Sequence, residues 1–173
     1  MDQEELPGDA STLIYLAKAD VFDEAARCVA KILAPPAVWR EAVDDGERSG
    51  YPDVARIRQA EHDGFVRRVV LADPIASLAA TIARQYGLGL GESEVLALGQ
   101  AIGRAIVDDG RASKVAAALG MQPVSTLFLP VLGRRSGSLD DREALALLRR
   151  LAVAAHARAE TVYAIEQFIR GGT

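Results

Sequence analysis

The chain has 173 residues, half of them apolar, a quarter charged and 5% aromatic. That is enough for one full domain with its own core and too little for two, and it excludes a disordered or collagen-like chain. Twenty basic residues against 24 acidic ones leave a formal charge of −4, which argues against a broad basic face for duplex nucleic acid and leaves room only for a local patch.

The chain alternates short β-like runs with helical patterns, the mark of an α/β fold with a parallel sheet. Residues 6–10 read as the first strand, weakened by Pro7 and Gly8, and residues 11–18 as a helix with Leu13, Leu16 and Ala17 on one face. A short helix over 21–27 leads to a second strand over 29–34, ended by Pro35 and Pro36, and Pro36 suits the first position of a helix running to about Val43. Residues 44–51 read as a polar loop, 53–61 as a helix with Val54 and Ile57 inward, and 65–71 as the third strand. Asp73-Pro74 opens a helix whose period is kept by Ile75, Leu78, Ala79, Ile82 and Tyr86. Residues 87–91 read as a glycine turn, 92–102 as a helix and 104–107 as the fourth strand, which ends in Asp108-Asp109-Gly110.

A helix over 112–119 stops at Gly120, and residues 121–126 form the fifth strand, followed by a helical turn over 127–132 and a loop over 133–138. Asp140 and Glu143 make a capping-box start for a helix burying Leu145, Leu148, Leu151 and Ala152, and a last helix over 161–169 buries Val162, Ile165 and Phe168. No linker interrupts the pattern, so residues 1–173 are expected to form a single domain, with 137–173 as a helical extension.

The acidic start Met1-Asp2-Gln3-Glu4-Glu5 is unlike a secretory signal, and no run approaches the roughly 20 apolar residues that span a bilayer. A cytoplasmic location is the expectation. Cys28 is the single cysteine, which excludes an internal disulfide and a cysteine zinc cage; it reads as a small buried apolar residue. His62 and His156 share no metal-ligand spacing, so hydrolysis through a His-paired nucleophile has almost nothing to draw on.

Carboxylates sit where an open parallel sheet places its sites, beyond the carboxyl ends of the strands at the point where strand order reverses. In a sheet ordered 3-2-1-4-5, Asp9 at the end of the first strand faces Asp108 and Asp109 at the end of the fourth. Glu41 lies on the helix after the second strand and Glu92 in the first turn of the helix before the fourth. Converging carboxylates cannot all stay ionised in an empty site. A hard divalent cation such as Mg²⁺ or Mn²⁺ takes oxygen ligands, bridges to phosphate oxygens and lowers the pKa of bound water. The chemistry pointed to is phosphodiester hydrolysis without histidine. Taken singly, each acid also fits a bland role: a cap, a turn former, a helix N-terminal charge or a solvated side chain.

Four segments resemble, in order, the motifs of the PIN-domain family of metal-dependent nucleases, which includes VapC-like toxins. Asp9-Ala10-Ser11 with the helix that follows looks like the opening motif, and Pro36-Ala37-Val38-Trp39-Arg40-Glu41 like the second. Leu90-Gly91-Glu92-Ser93-Glu94 looks like the third, and Ile106-Val107-Asp108-Asp109-Gly110 like the fourth. The matches span roughly residues 9–137.

The resemblance implies a three-layer α/β/α fold around a parallel sheet of four to five strands, a Mg²⁺ or Mn²⁺ site, and endoribonuclease activity, as in the toxin of a toxin–antitoxin pair. It makes Asp9, Glu92 and Asp109 metal ligands, with Asp108 as an alternative or additional acid. Glu41 completes the site directly or through water, and Ser11 orients Asp9 or a water. Glu94 is expected to be a bystander pointing away from Glu92. A small antitoxin and a second copy of the chain are the implied partners, beside RNA and with no membrane. Arg134 and Arg135 are candidates for holding RNA phosphates or, equally, solvated loop residues. The Leu6-Pro7-Gly8 start departs from the continuous apolar strand of the family and leaves the position of Asp9 open. On that ground an inactive RNA-binding or scaffold module is the alternative. Gly87, Gly89 and Gly91 lack dinucleotide-loop spacing and follow a helix, and Trp39 reads as a packing or interface residue.

Overall fold

The computed structural model describes residues 4–171; the opening Met1-Asp2-Gln3 read above lies outside them. Strands β1 (Glu5–Pro7), β2 (Lys31–Ala34) and β3 (Val66–Arg68) pair in parallel, with Leu6 opposite Ile32 and Ile32 opposite Val66. Strands β4 (Arg104–Ile106) and β5 (Gln122–Val124) form a second parallel ladder. The two ladders meet at a single bridge between Gly8 and Ile106, so the order across the molecule is 3-2-1-4-5. Each strand is only three or four residues long, and prolines bound two of them. Pro7 closes β1, Pro35 and Pro36 stop β2, and Pro123 lies in the edge strand β5, where a missing N–H is tolerated.

The Pro7-Gly8 pair does not displace Asp9. Gly8 N–H donates to Leu33 O at 3.1 Å and Asp9 N–H to Ile106 O at 3.1 Å, so the backbone past Pro7 is bound on both sides. A Cβ on Gly8 would lie 2.9 Å from Ile32 Cγ2; the glycine is there for close approach to β2.

Helices flank the sheet in a three-layer α/β/α arrangement. One layer groups α1 (Ala10–Ala19), α5 (Asp53–His62), α9 (Leu129–Ser136), α10 (Asp141–Ala154) and α11 (Ala159–Gly171). The other groups α3 (Pro36–Trp39), α6 (Asp73–Tyr86) and α7 (Leu90–Ile102), with α7 lying on β1 and β4. The short α2 (Phe22–Ala25) and α4 (Asp45–Arg48) and the helix α8 (Gly110–Ala118) complete the set. Leu6, Leu13, Leu16, Ile32 and Ile106 are fully buried between the layers. No helix among the described residues is long and apolar enough to cross a membrane.

Two segments expected to be loops are helical. Residues 44–48 belong to a π-helical turn (Arg40–Asp44) and to α4, and only 49–51 are non-helical; Gly46 is buried there, with a Cβ position 2.8 Å from Val54 Cγ2. Residues 133–138 are largely the end of α9. Gly133 is buried, and a Cβ would lie 2.8 Å from Cys28 Sγ and 2.7 Å from Leu139 Cδ1. Both glycines serve packing rather than a turn. The apolar stripe of α10 is centred on Ala144, Leu147, Leu148 and Leu151, leaving Leu145 and Ala152 half-buried. Phe168, expected inside, is half-exposed and stands edge-on to Phe128 with ring centres 5.6 Å apart. The third strand is shorter than expected, and Val70 beyond it is exposed.

Candidate active site

Asp9 leaves β1 in extended backbone and caps α1. Its Oδ1 accepts from Thr12 N–H and from the Thr12 hydroxyl, both at 2.8 Å, and its Oδ2 accepts from Asp108 N–H at 2.9 Å. Capping explains the helix start, and the Asp108 bond ties the end of β1 to the end of β4. Asp9 is 5% exposed. Burial, and then the nearby Asp108 charge, push its carboxyl from 3.8 up to about 6 despite these hydrogen bonds.

Glu41 sits in the π-helical turn after α3, and Gly91 N–H bonds to it. Both Glu41 carboxylate oxygens lie 3.0 Å from where a Gly91 Cβ would be, so this approach exists because residue 91 has no side chain. Burial raises the Glu41 pKa and the Glu92 charge raises it further, against a lowering by Arg40. Glu92 lies in the first turn of α7, where its Oε2 accepts from Gly89 N–H at 2.9 Å. Asp109 caps α8 through Oδ1, which accepts from Arg111 and Ala112 N–H at 2.8 Å each. Asp109 Oδ2 makes no hydrogen bond among the described residues.

Asp9, Glu41, Glu92 and Asp109 line one cleft of about 260 Å³ together with Ala10, Ser11 and Gly89. Asp108 does not line it. Its Oδ1 accepts from the Ser125 hydroxyl at 2.8 Å and Thr126 N–H at 2.9 Å, and its Oδ2 from the Thr126 hydroxyl. The adjacent acids of the fourth motif thus divide: Asp109 borders the cleft, and Asp108 fastens β4 to the segment after β5. Ser11 lines the cleft, but the hydroxyl that holds Asp9 belongs to Thr12.

The donor set suits a hard divalent cation: it is all oxygen, two of its carboxyls are held above their ordinary pKa by burial and then by a neighbouring carboxylate, and Gly91 leaves Glu41 a close approach. Among the described residues no three potential ligands are already drawn around a common point.

Glu94 is not a bystander. It is buried on α7, and its Oε2 accepts from Ala37 N–H at 2.7 Å, so it holds the start of the helix that leads to Glu41. Arg134 is paired with Asp141 in a separate hollow beside Gly137, Leu139 and Arg142, and Arg135 is an exposed residue of the same helix; neither lines the acidic cleft. Trp39 is buried with the Arg68 guanidinium 4.7 Å from its ring centre. Cys28 is buried, its thiol pushed up to about 12 by that burial. Of the three glycines, Gly87 ends α6 at φ 62°, while Gly89 and Gly91 give their N–H groups to Glu92 and Glu41.

Thr12, Thr126 and Glu94 are the positioning residues that sequence reading missed. Thr12 had a signal, the three-residue spacing from a capping Asp; Glu94 and Thr126 had none, because their partners lie 57 and 18 residues away.

No curated protein and no solved structure matches the chain. A family model described as DUF3368, a PIN domain, matches residues 8–165 and takes in all four carboxylates of the cleft. The protein therefore belongs to the PIN-domain family, whose members are generally metal-dependent nucleases.

Proposed function

We propose that the protein is an endoribonuclease that hydrolyses RNA phosphodiester bonds at the acidic cleft with the help of Mg²⁺ or Mn²⁺. The observation that carries this reading is that Asp9, Glu41, Glu92 and Asp109, from four separate segments, line a single cleft with no histidine, lysine or arginine among its walls. A divalent ion bound there supplies charge for the scissile phosphate and a water of lowered pKa. Asp9, Glu92 and Asp109 are the residues that would hold it. Asp9 is fixed through Thr12 and Asp108 N–H, Glu92 through Gly89 N–H, and Asp109 through the first turn of α8. Glu41 orients the attacking water and takes its proton, a task suited to a carboxylate whose pKa is raised by burial. Ser11, one residue inside α1, offers the cleft a hydroxyl for the same water. The inactive-module alternative rested on a displaced Asp9, and Asp9 is held on both sides of its strand end.

The biological role that fits is the toxin of a toxin–antitoxin pair, acting in the cytoplasm as a homodimer and silenced by a small protein that covers the cleft. The whole chain, including the helices after residue 137, is proposed to act as one domain. Cleavage of total RNA with Mn²⁺ tests the activity. The wild type cleaves, Asp9→Asn and Asp109→Asn lose more than about 100-fold, and unchanged cleavage by Asp9→Asn contradicts the assignment. Growth arrest on expression, absent with Asp9→Asn, tests the toxin role, and sedimentation of the purified chain tests the dimer.

A further inference from the structure

A second hollow that the proposed chemistry does not use lies beside the acidic cleft. Two walls run through both. On α1, Ser11 borders the cleft and Tyr15, about one helical turn on, borders the hollow; residues four apart share a helix face, about 6 Å apart along the axis, the scale of one nucleotide step. At the end of β4, Asp109 borders the cleft while Asp108 and Gly110 border the hollow. The hollow has a volume of about 600 Å³, within the range of small-molecule and nucleotide sites. Its far side is the turn between α10 and α11, which contributes His156, Arg158 and Thr161.

The chemistry of this hollow complements that of the cleft. Four carboxylates repel a polyanion, so cations for the flanking phosphates must stand outside them. Arg158 is the one arginine or lysine among the residues lining either space. In the helical tail Arg134 pairs with Asp141, Arg149 with Glu166 and Arg150 with Glu24; Arg158, like Arg142 and Arg170, makes no ion pair among the described residues, and of these three it alone borders the hollow. The Asp108 carboxylate also borders the hollow, with both of its oxygens held by Ser125 and Thr126. His156 has φ 49°, a left-handed conformation uncommon for a residue with a side chain. It is held there by bonds from His156 N–H to Val153 O and from Ala157 N–H to Ala152 O. Tyr15 adds a half-buried ring on which a base can stack.

We infer that the hollow lined by Tyr15, His156 and Arg158 is a subsite for the nucleotide next to the scissile bond of single-stranded RNA, with the base against Tyr15 and its phosphate against Arg158 and His156. The inference rests on the nuclease reading of the neighbouring cleft. It assigns the tail helices a substrate-binding role.

The test is fluorescence anisotropy with a 5′-fluorescein oligouridylate in EDTA, so that binding is read without cleavage, as a function of salt. Arg158→Ala is expected to raise Kd about 5- to 10-fold and to reduce the slope of log K against log salt by about 0.7, the value for one lost phosphate contact on a single strand. Arg158→Lys is expected to restore the slope. Tyr15→Leu is expected to raise Kd about 10-fold with little change in slope, and Tyr15→Phe to bind as the wild type. His156→Gly, which relieves the left-handed backbone, is expected to fold at least as stably and to bind more weakly. An unchanged Kd and slope in Arg158→Ala, or a duplex RNA bound as tightly as the single strand, overturns the subsite. Loss of the nuclease reading looks different: no Mn²⁺-dependent cleavage by the wild type, while the Arg158 and Tyr15 effects on binding persist.

Discussion

Asp9 accepts three hydrogen bonds and still sits where its charge is disfavoured, and this fixes the sign of its effect on stability. Unfolded, the carboxyl titrates near 3.8; folded, near 6. Between those values the native state binds more protons than the unfolded state, so stability falls as pH rises through that window and stays low above it. The expected loss is on the order of 3 kcal/mol, and the rise at Glu41 acts in the same direction. In a chelator, urea titrations from pH 4 to pH 7 are expected to show that fall, and Asp9→Asn to lose most of it. With Mn²⁺ the order reverses: protons compete with the ion, so the stabilisation by metal is greater at pH 7.5 than at pH 5.

The hydroxyl beside Asp9 gives a second check at this scale. Thr12→Val keeps the shape of the side chain and removes one of the two bonds to Oδ1. It is expected to cost about 1–3 kcal/mol and to weaken Mn²⁺ binding about 10-fold, whereas Ser11→Ala changes stability by less than about 0.5 kcal/mol. Calorimetric titration and thermal melts of the two variants separate the roles; equal effects contradict the assignment of the holding hydroxyl to Thr12. The acids themselves were legible because each stands at a strand end or helix start. Which of Asp108 and Asp109 borders the cleft was not, since it depends on where β4 stops and on Ser125 and Thr126, which hold Asp108 from another segment.

At the scale of elements, the cleft depends on how α7 meets α3 and the π-helical turn. Glu94 and Gly91 do this work from one helix face and its neighbour: Glu94 takes the Ala37 N–H, and Gly91 admits Glu41. Glu94→Ala leaves that buried donor unmet and is expected to cost about 1–3 kcal/mol, with Glu94→Gln milder and both lowering cleavage more than RNA affinity. Gly91→Ala separates stability from function. Helix propensity favours alanine by about 1 kcal/mol, and the atoms in the way are the mobile end of Glu41. The variant is therefore expected to melt no lower than the wild type while binding Mn²⁺ and cleaving RNA more weakly; unaffected metal binding contradicts the placement of Glu41 at the site.

The elements were read well where hydrophobic period and caps agreed, as in α6, α10 and the Asp140–Glu143 capping box. They were misread at Gly46 and Gly133, where a glycine that looks like a turn is a packing contact inside a helix. What stands against each glycine, Val54 for the one and Leu139 and Cys28 for the other, comes from outside its own helix, and no helical or turn pattern reports it.

Across the whole molecule, the sheet order 3-2-1-4-5 is what turns scattered acids into one cleft. Asp9 and Asp109 meet because β1 and β4 are neighbours through the Gly8–Ile106 bridge, and α3 and α7 bring Glu41 and Glu92 to the same edge. The α/β class with a parallel sheet was legible from the alternation; the strand order entered only as a supposition, and the pairing of the ladders through Gly8 and Ile106 agrees with it. The role of the tail after residue 137 was not legible, because Arg158 and His156 reach the hollow only through the packing of α10 on α1 and of α11 on α10.

The central claim, that these separate carboxylates gather to hold one kind of ion, is tested most directly by anomalous diffraction from crystals soaked in MnCl₂. The account predicts a manganese peak inside the cleft, within coordinating distance of Asp9, Glu92 and Asp109 and away from the Asp108 carboxylate. An empty cleft in crystals that carry manganese elsewhere, or a peak held by Asp108 without Asp9, contradicts it.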